Sequence, residues 1–130
     1  MKRLTALVIT LVLLTACSTS KPLYNSYSTV NVENKSLNIM RSAIVEALGF
    51  KRWEILDEEP GKFRAGINVR SHYAEILVSY DATKFEIVYL NSQNLDYRSS
   101  KQTIHRNYNR WIHYLEQEIK SRVQTINYSN

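Results

Sequence analysis

Residues 63–80 read Phe63-Arg64-Ala65-Gly66-Ile67-Asn68-Val69-Arg70-Ser71-His72-Tyr73-Ala74-Glu75-Ile76-Leu77-Val78-Ser79-Tyr80. Every second residue of the first half is apolar: Phe63, Ala65, Ile67 and Val69. In the second half Ala74, Ile76, Val78 and Tyr80 repeat the pattern. A period of two is the signature of a strand with one buried face. Ser71-His72 leaves room only for a tight connection, so the two halves predict an antiparallel hairpin. Asp81-Ala82-Thr83-Lys84 turns the chain again, and Phe85, Ile87 and Tyr89 continue the apolar face. Pairing Tyr80 with Phe85 sets Val78 opposite Ile87 and Ile76 opposite Tyr89. Pairing Arg70 with Tyr73 sets Val69 opposite Ala74 and Ile67 opposite Ile76. One apolar surface then spans three antiparallel strands.

Upstream, Trp53 to Glu58 is a fourth strand, joined through Glu59-Pro60-Gly61-Lys62. Proline presets φ there and glycine accepts positive φ. A two-residue Pro-Gly turn directs Trp53 and Ile55 away from the shared surface, whereas a bulge or longer turn restores them. Both alternatives stay open on the sequence.

Helical periods flank the strands. Leu37, Met40, Ile44, Val45 and Leu48 recur at three- and four-residue steps, with Ser36 as cap and Gly49 as stop. A longer stripe, Ile104, Tyr108, Trp111, Ile112, Leu115, Ile119, Val123 and Ile126, predicts a helix over 103–125. Arg106, Asn109, Arg110, His113, Glu116 and Lys120 fall on its polar side. Both helices need an apolar surface, and the sheet offers one. The expected fold is α+β: a two-layer sandwich in which a four-stranded antiparallel meander carries an N-terminal and a C-terminal helix on one face. It occupies residues 35–130 as a single domain, consistent with a chain of 130 residues.

The N-terminal part has a different composition. Met1-Lys2-Arg3 is positively charged, and Leu4 to Leu14 is apolar apart from Thr5 and Thr10. This is the pattern of a secretion signal, and it is short of the roughly 20 residues that span a bilayer. Leu14-Thr15-Ala16-Cys17 follows, and Cys17 is the single cysteine. These four residues resemble the lipobox of bacterial lipoproteins. The resemblance implies removal of residues 1–16 between Ala16 and Cys17, a thioether-linked diacylglyceryl group on Cys17, and acylation of the new amine. Several acyl chains hold a protein on a membrane, where one is marginal. Ser18 in place of aspartate implies the outer membrane, on its periplasmic face. Residues 17–34 are rich in Ser, Thr and Asn and read as a flexible tether, with Val30 and Val32 able to add a short strand.

The net charge of +5 falls to +3 once Lys2 and Arg3 are removed. That is too mild to argue for nucleic acid. Metal chemistry is not expected. On one helix His105 and His113 stand about 12 Å apart, His72 falls in a turn, and the thiol is consumed by the lipid, so no metal or other cofactor is assigned. No Gly-x-Ser-x-Gly elbow, phosphate loop or paired-carboxylate pattern is present, and no residue is assigned as catalytic. Asp96 and His105 are the one candidate acid–base pair, which keeps an envelope hydrolase as the alternative function. The leading expectation is a non-enzymatic binding or accessory module. Its candidate surfaces are the second sheet face, where alternation places Tyr73, Leu77, Val88 and Leu90, and the cations Arg106 and Arg110, one helical turn apart. The expected partners are the membrane, through Cys17, and another envelope protein, with self-association through the same face as a further possibility.

Most of the domain is also similar to a group of small proteobacterial lipoproteins with no assigned activity. The similarity is carried by Glu59-Pro60-Gly61-Lys62, Ser79-Tyr80-Asp81, Tyr89-Leu90-Asn91-Ser92 and Ile104-His105-Arg106-Asn107-Tyr108-Asn109-Arg110-Trp111. It implies one small domain and transfers no functional residue.

Overall fold

The fold was analysed on a computed structural model that describes residues 18–129; the lipobox and Cys17 lie outside the described residues. In chain order the elements are β1 (Ser20–Pro22), β2 (Ser26–Thr29), α1 (Leu37–Phe50), β3 (Glu54–Glu59), β4 (Lys62–Val69), β5 (His72–Tyr80), β6 (Lys84–Gln93), β7 (Thr103–His105) and α2 (Arg106–Ser129). The class is α+β, as the periodicity predicts. The meander β3 to β6 is present, but the sheet has five strands in the order β2-β6-β5-β4-β3, all antiparallel. A separate two-stranded sheet pairs β1 with β7.

The β5–β6 register agrees with the sequence reading: Tyr80 pairs with Phe85, Val78 with Ile87 and Ile76 with Tyr89. The β4–β5 register differs by two residues, because Val69 pairs with His72 and the turn is Arg70-Ser71. Arg70 takes a left-handed φ of 58° there. A shift of two leaves every side chain on its expected face, and it moves His72 from the turn into β5. The open question at β3 is settled by geometry. The Pro60-Gly61 turn is short, with Gly61 at φ 75°, and a bulge between Ile55 and Asp57 resets the strand. Ile55 thereby lies opposite Ala65, on the helix side, and Trp53 is buried in the core.

Both helices cover the face made by Phe63, Ala65, Ile67, Ala74, Ile76, Val78, Phe85 and Ile87, through Met40, Ala43, Ile44, Ala47 and Leu48 of α1 and Tyr108, Ile112, Leu115, Ile119 and Val123 of α2. α1 starts after Ser36, whose backbone is extended but whose side chain makes no capping bond. The helix runs through Gly49. The left-handed residue that ends it is Arg52, at φ 65°. Arg52 N–H donates to Gly49 O and Trp53 N–H to Leu48 O, the paired bonds of a left-handed helix end.

The C-terminal helix begins later than its stripe suggests. Thr103–His105 is strand, and Ile104 is buried from β7 rather than from a helix. His105 caps α2, since its Nδ1 accepts the Asn107 N–H at 3.1 Å. A neutral ring with its proton on Nε2 is the form that can do this.

The largest departure is at residues 18–34. They are built into the domain rather than free. β1 lies on β7, β2 forms an edge of the main sheet, and Val30 and Val32 enter the core just after β2. The strand expected near Val30 therefore ends one residue before it.

One buried group is poorly served. Tyr108 is fully buried against the edge of Tyr89, with ring centroids 5.5 Å apart. Its hydroxyl has no hydrogen-bond partner among the described residues, and burial raises its pKa. Burying an unpartnered hydroxyl costs about 1–3 kcal/mol. Tyr108→Phe is therefore expected to leave the unfolding free energy unchanged or raise it by up to about 1 kcal/mol, as read from urea denaturation. A loss larger than about 1 kcal/mol would show that the hydroxyl has a partner after all.

Candidate functional site

The second face of the five-stranded sheet carries the candidate surface. Residues paired with or alternating to the core set point to it: Tyr27 from β2, Arg64 and Gly66 from β4, Tyr73, Glu75 and Leu77 from β5, and Glu86 and Val88 from β6. No described element is layered over them, because both helices are engaged on the other face. Leu77 and Val88 are half-buried among their strand neighbours, while Leu90 and Tyr27 are 43% and 67% exposed. Leu90 is the extra residue of a bulge, since Glu75 pairs with Asn91 and Ile76 with Tyr89.

Gly66 explains how this face is shaped. A Cβ at that position would meet Tyr73 Oη at 3.0 Å and Leu56 Cδ1 at 3.1 Å. Its absence lets the Tyr73 ring lie across β4 and the Leu56 side chain, released by the β3 bulge, settle beside it. Tyr73 then donates to Glu75 Oε1 at 2.6 Å, and Arg64 meets Glu75 Oε2 at 3.3 Å. The Tyr73 hydroxyl pKa is raised, first by the hydrogen bond it gives to Glu75 and then by burial. The outcome is an apolar strip of Leu56, Leu77, Val88 and Leu90 beside a fixed polar group. Alternation alone identifies Tyr73, Leu77, Val88 and Leu90. It leaves Trp53 and Ile55 open between the two faces and misses Leu56, because the bulge inverts the strand between them. Tyr27 is missed because β2 is.

The two arginines singled out from the sequence are both exposed. Arg106 is the first residue of α2, and its N–H donates to Thr19 O at 2.8 Å. Arg110 lines a shallow groove with Arg70, His72, Trp111 and Tyr114. Neither makes an ion pair among the described residues.

The histidines are dispersed among structural tasks. His72 hydrogen-bonds Asn94 O through Nδ1 and lies 6.0 Å, centroid to centroid, from His105. His113 stacks on Tyr24 at 4.0 Å. No three His, Cys, Asp or Glu side chains among the described residues gather as a metal site requires. Asp96 is exposed in a depression shared with Ser18, Thr19, Ser20, Arg98, Lys101 and Thr103. His105 Nδ1 is occupied by the helix cap, and no hydrogen bond joins it to Asp96. The candidate acid–base pair is thus not assembled in the structure.

A polar cluster that sequence reading puts in solvent is instead buried. Glu116 accepts hydrogen bonds from Tyr24 Oη at 2.7 Å, Ser28 Oγ at 2.8 Å and Lys120 Nζ at 2.7 Å. Asn109, two turns earlier on the same helix, accepts the Tyr24 N–H and donates to Pro22 O. The side of α2 expected to be solvated is where residues 22–28 dock. Burial pushes the Glu116 carboxyl upward, but the bonds from Lys120, Tyr24 and Ser28 together prevail and hold it at about 2.

Compared with known protein families, curated proteins and solved structures, the chain matches none.

Because Glu116 binds its proton less readily folded than unfolded, its stabilisation is complete above about 4.5, the ordinary value, and is lost as pH falls toward about 2. A displacement of that size corresponds to on the order of 3 kcal/mol at neutral pH. Glu116→Gln is expected to lower the unfolding free energy by about 1–3 kcal/mol at pH 7, with the difference vanishing near pH 2. Urea midpoints measured across that range test this. Wild-type and variant curves that stay parallel down to pH 2 would refute the linkage.

Proposed function

We propose that the chain is a lipoprotein of the bacterial envelope, acylated at Cys17 and held on the periplasmic face of the outer membrane, and that it acts there as a non-enzymatic binding module for another envelope protein. The attachment reading is supported by residues 1–17: the charged start, the short apolar run and Leu14-Thr15-Ala16-Cys17. No helix among the described residues is long and apolar enough to cross a membrane.

The binding reading is carried by one observation. The sheet face bearing Leu56, Tyr73, Leu77, Val88 and Leu90 has no covering layer among the described residues. Contiguous apolar groups rimmed by charge mark interaction surfaces. Here the rim is Arg64, Glu75 and Glu86, and the Tyr73–Glu75 bond fixes a polar group beside the apolar strip. Catalysis would need a nucleophile, a base and an orienting group within reach of one another, and His105 spends its Nδ1 on the helix cap rather than on Asp96.

A photoactivatable residue placed at Leu77 or at Val88 tests this. Both positions are expected to yield the same discrete adduct in intact cells, and Ser42, exposed on α1, is expected to yield none. Leu77→Glu with Val88→Lys should abolish the adduct while leaving the unfolding midpoint within experimental error. An adduct of twice the chain's mass would identify a second copy as the occupant. Equal crosslinking from all three positions, or none from any, refutes the open face as the binding surface.

A further inference from the structure

We infer that the domain lies directly on the bilayer, with the loop after β6 and the first turn of α2 against the headgroups, and that Arg98, Lys101 and Arg106 contact anionic phospholipid there. This rests on acylation of Cys17 as proposed above and goes beyond it, because it fixes the orientation of the domain and names the surface that meets the lipid.

The length of free chain is the first observation. Thr19 O is already bonded to the Arg106 N–H at 2.8 Å, and Ser20, Lys21 and Pro22 pair with His105, Ile104 and Thr103. Two peptide units separate Cys17 from Thr19, a reach of at most about 7 Å. A tether that short cannot let the domain turn freely. It keeps the surroundings of Thr19 near the membrane.

Charge is the second observation, and it is independent of the first. Arg98 and Lys101 line the depression that also holds Ser18 and Thr19, with Asp96 as its single carboxylate. Arg106 adjoins it through its bond to Thr19. These three cations are exposed and make no ion pair among the described residues. Elsewhere on the fold Arg41, Lys51, Arg64, Lys120 and Arg122 each meet a carboxylate, while Lys35, Arg52, Lys62, Arg70, Lys84 and Arg110 are likewise outside any ion pair among the described residues. Four of the twelve acids lie together on one edge strand. β3, the sheet edge opposite β2, carries Glu54, Asp57, Glu58 and Glu59. The attachment end is thus positive and the far edge negative. An anionic membrane surface attracts the first and repels the second.

The test uses the full-length lipoprotein purified with its acyl chains. With the Cys17 sulfur blocked as a thioether, a thiol-reactive fluorophore reports only an added cysteine. Ser100→Cys marks the loop and Asp57→Cys marks β3. Each is reconstituted into vesicles of phosphatidylcholine with phosphatidylglycerol that contain a headgroup-spin-labelled quencher. Quenching at position 100 is expected to exceed that at position 57 at least threefold. The excess should fall by half or more in the combined Arg98→Glu, Lys101→Glu, Arg106→Glu variant, and in vesicles of phosphatidylcholine alone, while the protein still floats with the vesicles. Equal quenching at both positions in floating protein overturns the orientation and leaves acylation standing. Labelling of Cys17 in the chain without an added cysteine, with no flotation, overturns acylation and the orientation with it. The comparison of positions 100 and 57 needs no charge reversal, so it decides the matter even if the triple variant folds poorly.

Discussion

A carboxylate buried at the seam between a helix and an edge strand has to be met by donors, and in this domain Glu116 is met from three sides. Lys120 reaches it from one turn along α2, while Tyr24 and Ser28 reach it from the N-terminal segment. Breaking one partner of such a buried group is costly, because the charge is left without solvent or donor. The arrangement ties the start of the described chain to its last helix. It also accounts for the composition of β2, whose inward residues are Ser26 and Ser28 rather than apolar ones. A strand that packs against a buried carboxylate needs hydroxyls there. The fifth strand, the β1–β7 pair and the docking of Val30 and Val32 all follow from holding that segment in place.

The meander was legible in the sequence because period-two alternation and tight turns are local signals, and three of its cross-strand pairs followed from them directly. Class and helix faces were legible for the same reason. What stayed hidden depended on contacts between distant residues. β2 was unreadable because its buried face is polar, and the carboxylate that makes polarity acceptable there, Glu116, lies 88 positions beyond Ser28 in the chain. β7 was masked because Ile104 fits the helical stripe as well as it fits a strand. Bulges at Leu56 and Leu90 shift faces by one residue, and nothing in Glu54-Ile55-Leu56-Asp57 announces the first of them. Of the candidate surface, Tyr73, Leu77, Val88 and Leu90 were readable by alternation, whereas Leu56 and Tyr27 needed the fold. Arg98 and Lys101 looked like ordinary loop cations until Thr19 was found beside them.

The sheet edges are handled differently on the two sides. β3 has four acidic residues and a bulge, devices that discourage pairing with another strand. β2 is only four residues long and is clamped to α2. With both edges blunted, side chains on the open face, rather than backbone pairing, are left as the means of recognition. That suits a surface on which Gly66 sets the depth and the Tyr73–Glu75 bond holds a polar group in register with Leu77.

The pairing of β1 with β7, and of residues 22–28 with α2, also orders events in time. None of these contacts can form until the polypeptide has emerged beyond residue 103, and those to Glu116 come later still, so the leading segment stays an open chain while the meander is already closing. On the proposed reading, that delay keeps Cys17 within reach of the enzymes that modify it. Completion of the last helix then withdraws the segment into the fold, converting a pliable leader into a rigid footing.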